Sequence, residues 1–321
     1  FGGIPARLFL MLVGVSIALR FEAQLSKGVS RWGDFVRPVQ KRGLQILLLA
    51  YAFRVQEYIL GHMSMSIVDL PAYWQDILRI DILNCIAASM LLVPVLTAPR
   101  NGKPAWLRAP AAMVLFVALG PIVGPAHFPT WIPTWISSYV GGQRPMSWFA
   151  LFPWMGWPLA GVALGHFWVR ASRTPRGQMW AFVATGVGGA LLIVIVETIR
   201  KIDPHVIRYP SELVQQMGPG SFSYRLGMNG IVAAIACGVV RLTGRRFSVM
   251  RQFGLTSLLV YWIHIDLCYG LIAHRLGLYG KLGMPAATLG LAVMVALMLG
   301  VSLARTRLWD PWRKAARARG P

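Results

Sequence analysis

The chain has 321 residues, of which 56% are hydrophobic and only 13% are charged. Soluble globular domains carry roughly 25% charged residues, so this composition argues against a soluble enzyme. The formal net charge of +21 would fit a nucleic-acid-binding protein, but the basic residues lie in short connections between apolar segments. We therefore expect no nucleic-acid partner, and the lipid bilayer is the predicted environment.

Nine apolar segments follow one another along the chain. They cover residues 4–20, 43–60, 77–98, 110–125, 148–168, 179–199, 223–240, 252–272 and 284–304. About 20 apolar residues cross the ~30 Å hydrocarbon core as a helix. The alternating ~10-residue segments that are typical of a membrane β-barrel are absent from the sequence. The sequence therefore predicts an all-α fold class, a polytopic transmembrane helix bundle of about nine spans in a single domain over residues 1–321.

Basic residues alternate between one connection and the next. Of the 32 Lys and Arg residues, 22 lie at 20–42, 99–109, 169–178, 241–251 and 305–321. The intervening loops hold six. Because cytoplasmic loops carry the excess of Lys and Arg, these connections and the C-terminal tail are predicted to be cytoplasmic. Phe1 would then lie outside without a preceding signal peptide, so we expect one missing N-terminal span and ten spans in the intact protein.

Polar side chains inside the predicted spans lie at one level, toward the outside. They are Arg54, Glu57, Arg79, Asp81, Asn84, Glu197, Arg225, Asn229, His264 and Asp266. Arg54 is spaced to pair with Glu57, and Asp76 with Arg79, and either pair alone fits a purely structural role. A charge inside the bilayer costs about 3 kcal/mol or more, and structural pairs need not share one depth. The shared level therefore favours a polar cavity.

The eighth predicted span carries a polar stripe. Ser257, Tyr261, His264 and Cys268 fall on one helix face, which is predicted to point into the bundle. His264 alone fits equally well a core histidine that donates to a neighbouring carbonyl. The cysteines of the chain have no metal-type spacing, so the sequence predicts no metal site.

Four segments resemble one family. They are Pro5–Leu19, Asp76–Ala87, Phe152–Gly165 and Phe253–His264. In order and spacing they are similar to the membrane acyltransferases related to heparan-α-glucosaminide N-acetyltransferase, especially the bacterial members. This resemblance implies transfer of an acyl group, typically acetyl from cytoplasmic acetyl-CoA, to a sugar amine or hydroxyl across a bacterial inner membrane. It also implies an essential histidine upstream of Phe1.

Acyl transfer needs a base for the acceptor's proton and donors for the developing oxyanion. The candidate catalytic residues are His264 and the carboxylates Asp81, Asp266 and Glu57. The candidate substrate-binding residues are Arg54, Arg79, Asn84, Arg225 and Asn229. The candidates for binding the acetyl-CoA phosphates, each of which also serves as a topology signal, are Lys41, Arg42, Arg245 and Arg246.

Two functions of other classes stay open on the sequence alone. A transporter of a small polar solute also needs polar groups within its spans, but transporters commonly contain internal repeats, and this sequence shows none. A non-catalytic membrane scaffold does not need ionisable groups clustered in one half of the bilayer. Acetyl transfer by the full-length protein would separate the enzyme from both alternatives.

Overall fold

A computed structural model describes most of the chain. The described residues are 4–62, 77–100, 106–124, 126, 128–141, 147, 149–202, 218–243, 248–268 and 283–309. Within these ranges the protein is helical, and the β contact is an isolated bridge between Ile80 and Ser147. The all-α fold class is therefore confirmed.

The helices of the described residues are α1 (Ile4–Leu25), α2 (Trp32–His62), α3 (Ile82–Thr97), α4 (Arg108–Val123), α5 (Thr134–Gly141), α6 (Leu151–Trp154), α7 (Gly156–Ala171), α8 (Pro175–Ile202), α9 (Pro219–Thr243), α10 (Val249–Leu255), α11 (Ser257–Cys268) and α12 (Met284–Ala304). A π-helical turn, Arg305–Trp309, continues α12. Each of the nine apolar segments overlaps at least one of these helices.

Four helical stretches are long and apolar enough to cross a membrane. They are Ile4–Leu25, Pro175–Ile202, Pro219–Leu242 and Met284–Trp309. They match the first, sixth, seventh and ninth predicted spans and indicate an integral membrane protein. The full count of nine crossings, and a further span before Phe1, stay predictions.

Three predicted spans differ in detail from the observed helices. The third begins at Ile82 because Asp81 is the N-cap of α3, a position that favours Asp. The fifth is divided at Met155 into α6 and α7, and within α6 the backbone of Phe152 is non-helical. The eighth is divided at Thr256, where φ is −120° and ψ is 22°. These breaks fall within apolar sequence, where hydropathy predicts one continuous span.

The chain folds as two compact units. The first unit comprises Phe1–Arg54 and Pro71–Leu242, and the second comprises Val55–Leu70 and Thr243–Pro321. The prediction that residues 1–321 form a single domain stays a prediction.

In the first unit, α1 packs against α7 through glycines. A Cβ atom on Gly14 would overlap with the carbonyl oxygen of Pro158, and one on Gly161 would overlap with that of Met11. The two backbones therefore touch, as small residues allow in membrane helix pairs. Gly14 and Gly161 lie within two of the segments that carry the family resemblance.

In the second unit, α10 contacts α12 through side-chain hydrogen bonds. The Gln252 Nε2 group lies 3.0 Å from both the carbonyl oxygen and the Oγ atom of Ser302, and 2.9 Å from Thr306 Oγ1. The hydroxyl oxygens of Thr256 and Ser302 lie 2.5 Å apart. These side chains, which we call the Gln252 network, satisfy their polar groups within an apolar helix pair.

Candidate functional site

An ion pair joins α2 to the start of α3 in the first unit. The guanidinium of Arg54 contacts the Asp81 carboxylate, and the two side chains are 8% and 19% exposed. Asp81 is fixed further by its backbone N–H, which donates to Asn84 Oδ1 at 3.2 Å. The sequence placed Arg54 and Asp81 at one level but did not predict that they pair, because their separation is set by the fold.

Two tyrosines extend this ion pair. Asn84 is fully buried, and its Nδ2 group donates to Tyr139 Oη at 3.0 Å. The hydroxyl oxygens of Tyr139 and Tyr51 are 2.9 Å apart. Burial of Tyr139, in α5, raises its pKa well above the ordinary value, and the hydrogen bond with Tyr51 acts in the same direction. The Tyr139 phenol is therefore protonated at neutral pH and can donate a hydrogen bond.

We call Tyr51, Arg54, Asp81, Asn84 and Tyr139 the Asp81 cluster. Sequence reasoning missed Tyr51 because it searched the spans for charged, amide and imidazole groups, and it missed Tyr139 because that residue lies in a loop. Arg79, two residues before Asp81, is partly buried, and its Nε atom has no hydrogen-bond partner in the described part of the chain.

A second polar region of the first unit lies where α1, α7 and α9 meet. Phe222, Arg225 and Asn229 are spaced three and four residues apart on α9 and share one face. The ring of Phe222 packs on Trp157 of α7 with a centroid distance of 4.3 Å. This contact turns the predicted substrate-binding residues Arg225 and Asn229 toward α7.

Arg7 of α1 lies in the same region. Its guanidinium carbon is 6.0 Å from the ring centroids of both Trp154 and Trp157. Sequence reasoning missed Arg7, although an arginine inside the apolar segment 4–20 is the signal that should have identified it.

A third pair connects α1 to α7. The Nδ1 atom of His166 lies 2.7 Å from Glu22 Oε1, and the histidine side chain is 4% exposed. Its Nε2 atom has no hydrogen-bond partner within the described ranges. Sequence analysis passed over His166 because it lies at the end of a predicted span.

In the second unit, His264 and Asp266 lie on α11. His264 Nδ1 is 3.1 Å from the carbonyl oxygen of Val260, one turn earlier. A neutral histidine that donates through Nδ1 keeps a lone pair on Nε2, which is the state a general base requires. The predicted stripe of α11 is partly buried, and the rings of His264 and Tyr261 meet edge to face at a centroid distance of 5.5 Å.

Gln56, from the C-terminal part of α2, orients Asp266 within the same unit. Its Nε2 group donates to Asp266 Oδ2 at 2.9 Å, while its Oε1 atom accepts from Trp262 Nε1 at 3.0 Å. Glu57, the next residue of α2, is partly buried. The amide of Gln56 is a positioning group that charge-based sequence reasoning did not identify.

The predicted acetyl-CoA phosphate site is described only in part. Lys41 and Arg42 are exposed on α2, and Arg42 Nη1 donates to Gln45 Oε1 at 3.1 Å. Arg245 and Arg246 lie outside the described residues, as does Asp76. Among the residues that the structure describes, no three His, Cys, Asp or Glu side chains are grouped to hold a metal ion.

Residues 1–195 match the family model of the heparan-α-glucosaminide N-acetyltransferase catalytic region, which is more than half of the chain. The chain belongs to this family. The resemblance drawn from the four sequence segments is therefore confirmed, and the chain is a member of a membrane acetyltransferase family. No curated protein and no solved structure matches it.

The family match divides the candidate residues. It spans α1 to α7 and most of α8, so the Asp81 cluster, Arg7 and the Glu22–His166 pair lie inside the catalytic region of the acetyltransferase family. Arg225, His264 and their neighbours lie beyond the matched residues. The structure brings the Asp81 cluster together within the first unit and His264 with Asp266 on one helix of the second.

Proposed function

We propose that this member of the acetyltransferase family transfers an acetyl group from cytoplasmic acetyl-CoA to an amine or hydroxyl of a sugar on the extracytoplasmic side. Membership of the family, from the match over residues 1–195, is the observation that carries this proposal. The distribution of basic residues supports a C-terminus in the cytoplasm. A bacterial inner membrane is proposed from the family resemblance alone.

The Asp81 cluster supports a role in binding the sugar acceptor. Asp81 offers carboxylate oxygens for a sugar hydroxyl or ammonium group, and its contact with Arg54 holds that carboxylate in place. The neutral Tyr139 phenol accepts from Asn84 Nδ2 and has an O–H of its own that can donate. Charged and neutral groups held this way bind a polar ligand without reorganisation, which favours catalysis.

Arg79 is the proposed donor that stabilises the oxyanion. The buried Nε–H of Arg79 has no partner in the described ranges and is available to a developing negative charge. A donor that is directed at the oxyanion of a tetrahedral intermediate contributes about 10²–10³-fold to the rate. Within the first unit, we therefore assign Arg79 to the thioester carbonyl oxygen.

The second unit, taken by itself, offers His264 as the proposed general base. Its Nε2 lone pair takes the proton from the acceptor's oxygen or nitrogen, which then forms a bond with the thioester carbon. The C–S bond breaks, CoA leaves as the thiolate, and the protonated histidine returns the proton to that sulfur. Asp266, held by Gln56, and Glu57 supply further carboxylates in the same unit.

The decisive experiment is His264→Gln in the full-length, purified protein with acetyl-CoA and glucosamine. Glutamine retains approximate size but cannot act as a base, so turnover should fall at least about 10²-fold while thermal stability and CoA binding stay unchanged. Undiminished turnover would show that the base lies elsewhere, and loss of folding would make His264 a structural residue. If the wild-type protein moves glucosamine across liposomes without acetylating it, the transporter alternative replaces this proposal.

A further inference from the structure

One face of α2 is exposed and changes from basic to apolar along the helix. Its members, which we call the α2 stripe, are Arg37, Lys41, Leu44 and Leu48. Their spacings of four, three and four residues place them on the same helix face. Leu44 and Leu48 are 52% and 73% exposed, so in a membrane protein this part of the face contacts lipid. The basic residues therefore continue a surface that lipid covers.

The buried side of α2 packs within the first unit. Phe35 is fully buried, and its ring meets that of Phe21 in α1 edge to face at a centroid distance of 5.7 Å. Gln40 Nε2 donates to the carbonyl oxygen of Leu91, in α3, at 3.0 Å. These contacts fix the rotation of the helix about its own axis, so the α2 stripe is held on the outer side.

Two of the basic residues lie at the depth of the lipid headgroups. The second predicted span, residues 43–60, includes both leucines of the stripe. At 1.5 Å per residue, Arg42 and Lys41 precede Leu44 by about 3 and about 5 Å along the helix axis. The headgroup layer is about 5–8 Å thick on each side of the hydrocarbon core. Arg37, about 11 Å from Leu44, lies at the water side of this layer.

Arg42 is turned toward the stripe by a neighbouring amide. Its Nη1 group donates to Gln45 Oε1 at 3.1 Å, and Gln45 follows Lys41 by one helical turn. The Arg42 guanidinium and Lys41 therefore lie on adjacent parts of one exposed surface. The stretch 27–48 contains five basic residues and one acidic residue, Asp34. A basic cluster of this size beside a membrane helix attracts anionic lipid.

We infer that Lys41 and Arg42 bind the phosphate of an anionic phospholipid, whose acyl chains lie along Leu44 and Leu48. The ammonium and guanidinium groups donate to the phosphate oxygens. An anionic headgroup is preferred over phosphatidylcholine because the local excess of positive charge repels the choline group. The sequence alone makes both residues candidates for CoA phosphates as well, but their position on a lipid-covered surface favours the membrane. This inference does not rest on the proposed function.

Lipid binding to the full-length protein in detergent micelles, measured by native mass spectrometry, tests this site. Dioleoyl phosphatidylglycerol should bind at least about tenfold more tightly than dioleoyl phosphatidylcholine, which has the same acyl chains. Lys41→Gln and Arg42→Gln should each lower this ratio about fivefold, the contribution of one basic residue near an anionic surface. Lys201→Gln makes the same charge change at the exposed end of α8, one turn after Glu197, and should keep the ratio. Equal ratios in all three variants, lowered or not, would overturn the inference.

Gln45→Glu tests the same site with every basic residue in place. The new carboxylate would pair with Arg42 and repel a lipid phosphate, so the binding ratio should fall about fivefold. Acidic residues contribute little to membrane orientation, so insertion should not change. Gln45→Met, a neutral residue of similar length, should retain most of the preference. Equal ratios for these two variants would contradict the binding of a phosphate at this position.

CoA binding separates the lipid from the acetyl donor, because both ligands carry phosphate. If the Lys41 and Arg42 variants bind CoA more weakly and retain the preference for phosphatidylglycerol, the two residues belong to the donor site and the inference is wrong. Loss of the lipid preference supports the inference whether or not CoA binding changes. Neither measurement needs acetyl transfer, so the absence of that activity would contradict only the proposed function.

Discussion

The helix pair α1 and α7 of the first unit and the pair α10 and α12 of the second are held together by different interactions. Gly14 and Gly161 let the α1 and α7 backbones touch, and the Glu22–His166 pair adds one polar contact. In α10 and α12, the Gln252 network supplies the polar contacts. Lipid removes most of the hydrophobic drive for helix association, which leaves close packing and hydrogen bonds as alternatives.

The difference indicates what each region tolerates. The contact between α1 and α7 depends on glycines, which have no side chain. A substitution that adds a methyl group at such a glycine should therefore disrupt the contact most. The α10 and α12 pair depends on several hydrogen bonds that share partners, so the loss of one side chain should be partly compensated. We therefore expect single mutations to lower the free energy of unfolding strongly in the α1–α7 contact and only weakly in the α10–α12 contact.

The largest effect is expected for Gly161→Ala. The new methyl group would overlap with the carbonyl oxygen of Met11, and both helices would have to separate. We expect a loss of about 3 kcal/mol in the free energy of unfolding, the upper part of the range for overpacking. Denaturant unfolding in detergent micelles would measure this change.

Gly188→Ala in α8 is the matched control, because a Cβ atom there meets nothing within 4 Å. Alanine favours a helix over glycine by up to about 1 kcal/mol, so this variant should be neutral or stabilised. Equal stability of the two alanine variants would contradict the glycine-dependent contact between α1 and α7.

An intermediate effect is expected for Glu22→Ala. This change leaves the buried His166 imidazole without a partner and removes a hydrogen bond to a charged group, so stability should fall by about 2 kcal/mol. Glu22→Gln keeps an oxygen that can accept from Nδ1 and should restore at least half of that loss. If the alanine variant is as stable as the wild type, this pair contributes nothing to the α1–α7 contact.

The smallest effect is expected for Gln252→Leu. Hydrogen bonds between membrane helices contribute about 0.6 kcal/mol on average and at most roughly 1.7 kcal/mol. Because Ser302 and Thr256 still contact each other, we expect a loss of about 1 kcal/mol. Gln178→Leu, at an exposed position of α8, is the control and should leave unfolding unchanged. A loss larger than that of Gly161→Ala would reverse the comparison.

Much of the helical layout was predictable. Each of the nine apolar segments coincides with helix, since hydropathy reports directly on burial in lipid or protein. The breaks at Met155 and Thr256 were not predicted. Both lie in apolar sequence, and a short irregular stretch leaves almost no signal in an average over 20 residues. At Thr256 the side-chain hydroxyl forms a hydrogen bond with that of Ser302, which is 46 residues away in the sequence.

The candidate site was predicted unevenly for the same reason. Charge within apolar sequence identified Arg54, Asp81 and Arg225, and the same rule applied to the first span would have identified Arg7. It does not detect Tyr139 or Gln56, whose neutral side chains are ordinary in membrane proteins. Their importance follows from the partners they contact, Asn84 and Asp266.

The sequence by itself determined the helical class, the membrane environment and the acetyltransferase family, because composition and the order of motifs are properties of the chain that need no contacts. Only the tertiary structure decided that Arg54 pairs with Asp81 and that Glu22 pairs with His166. The two members of each pair lie on different helices. Helix packing sets the distances between such groups, and no local pattern in the sequence encodes them.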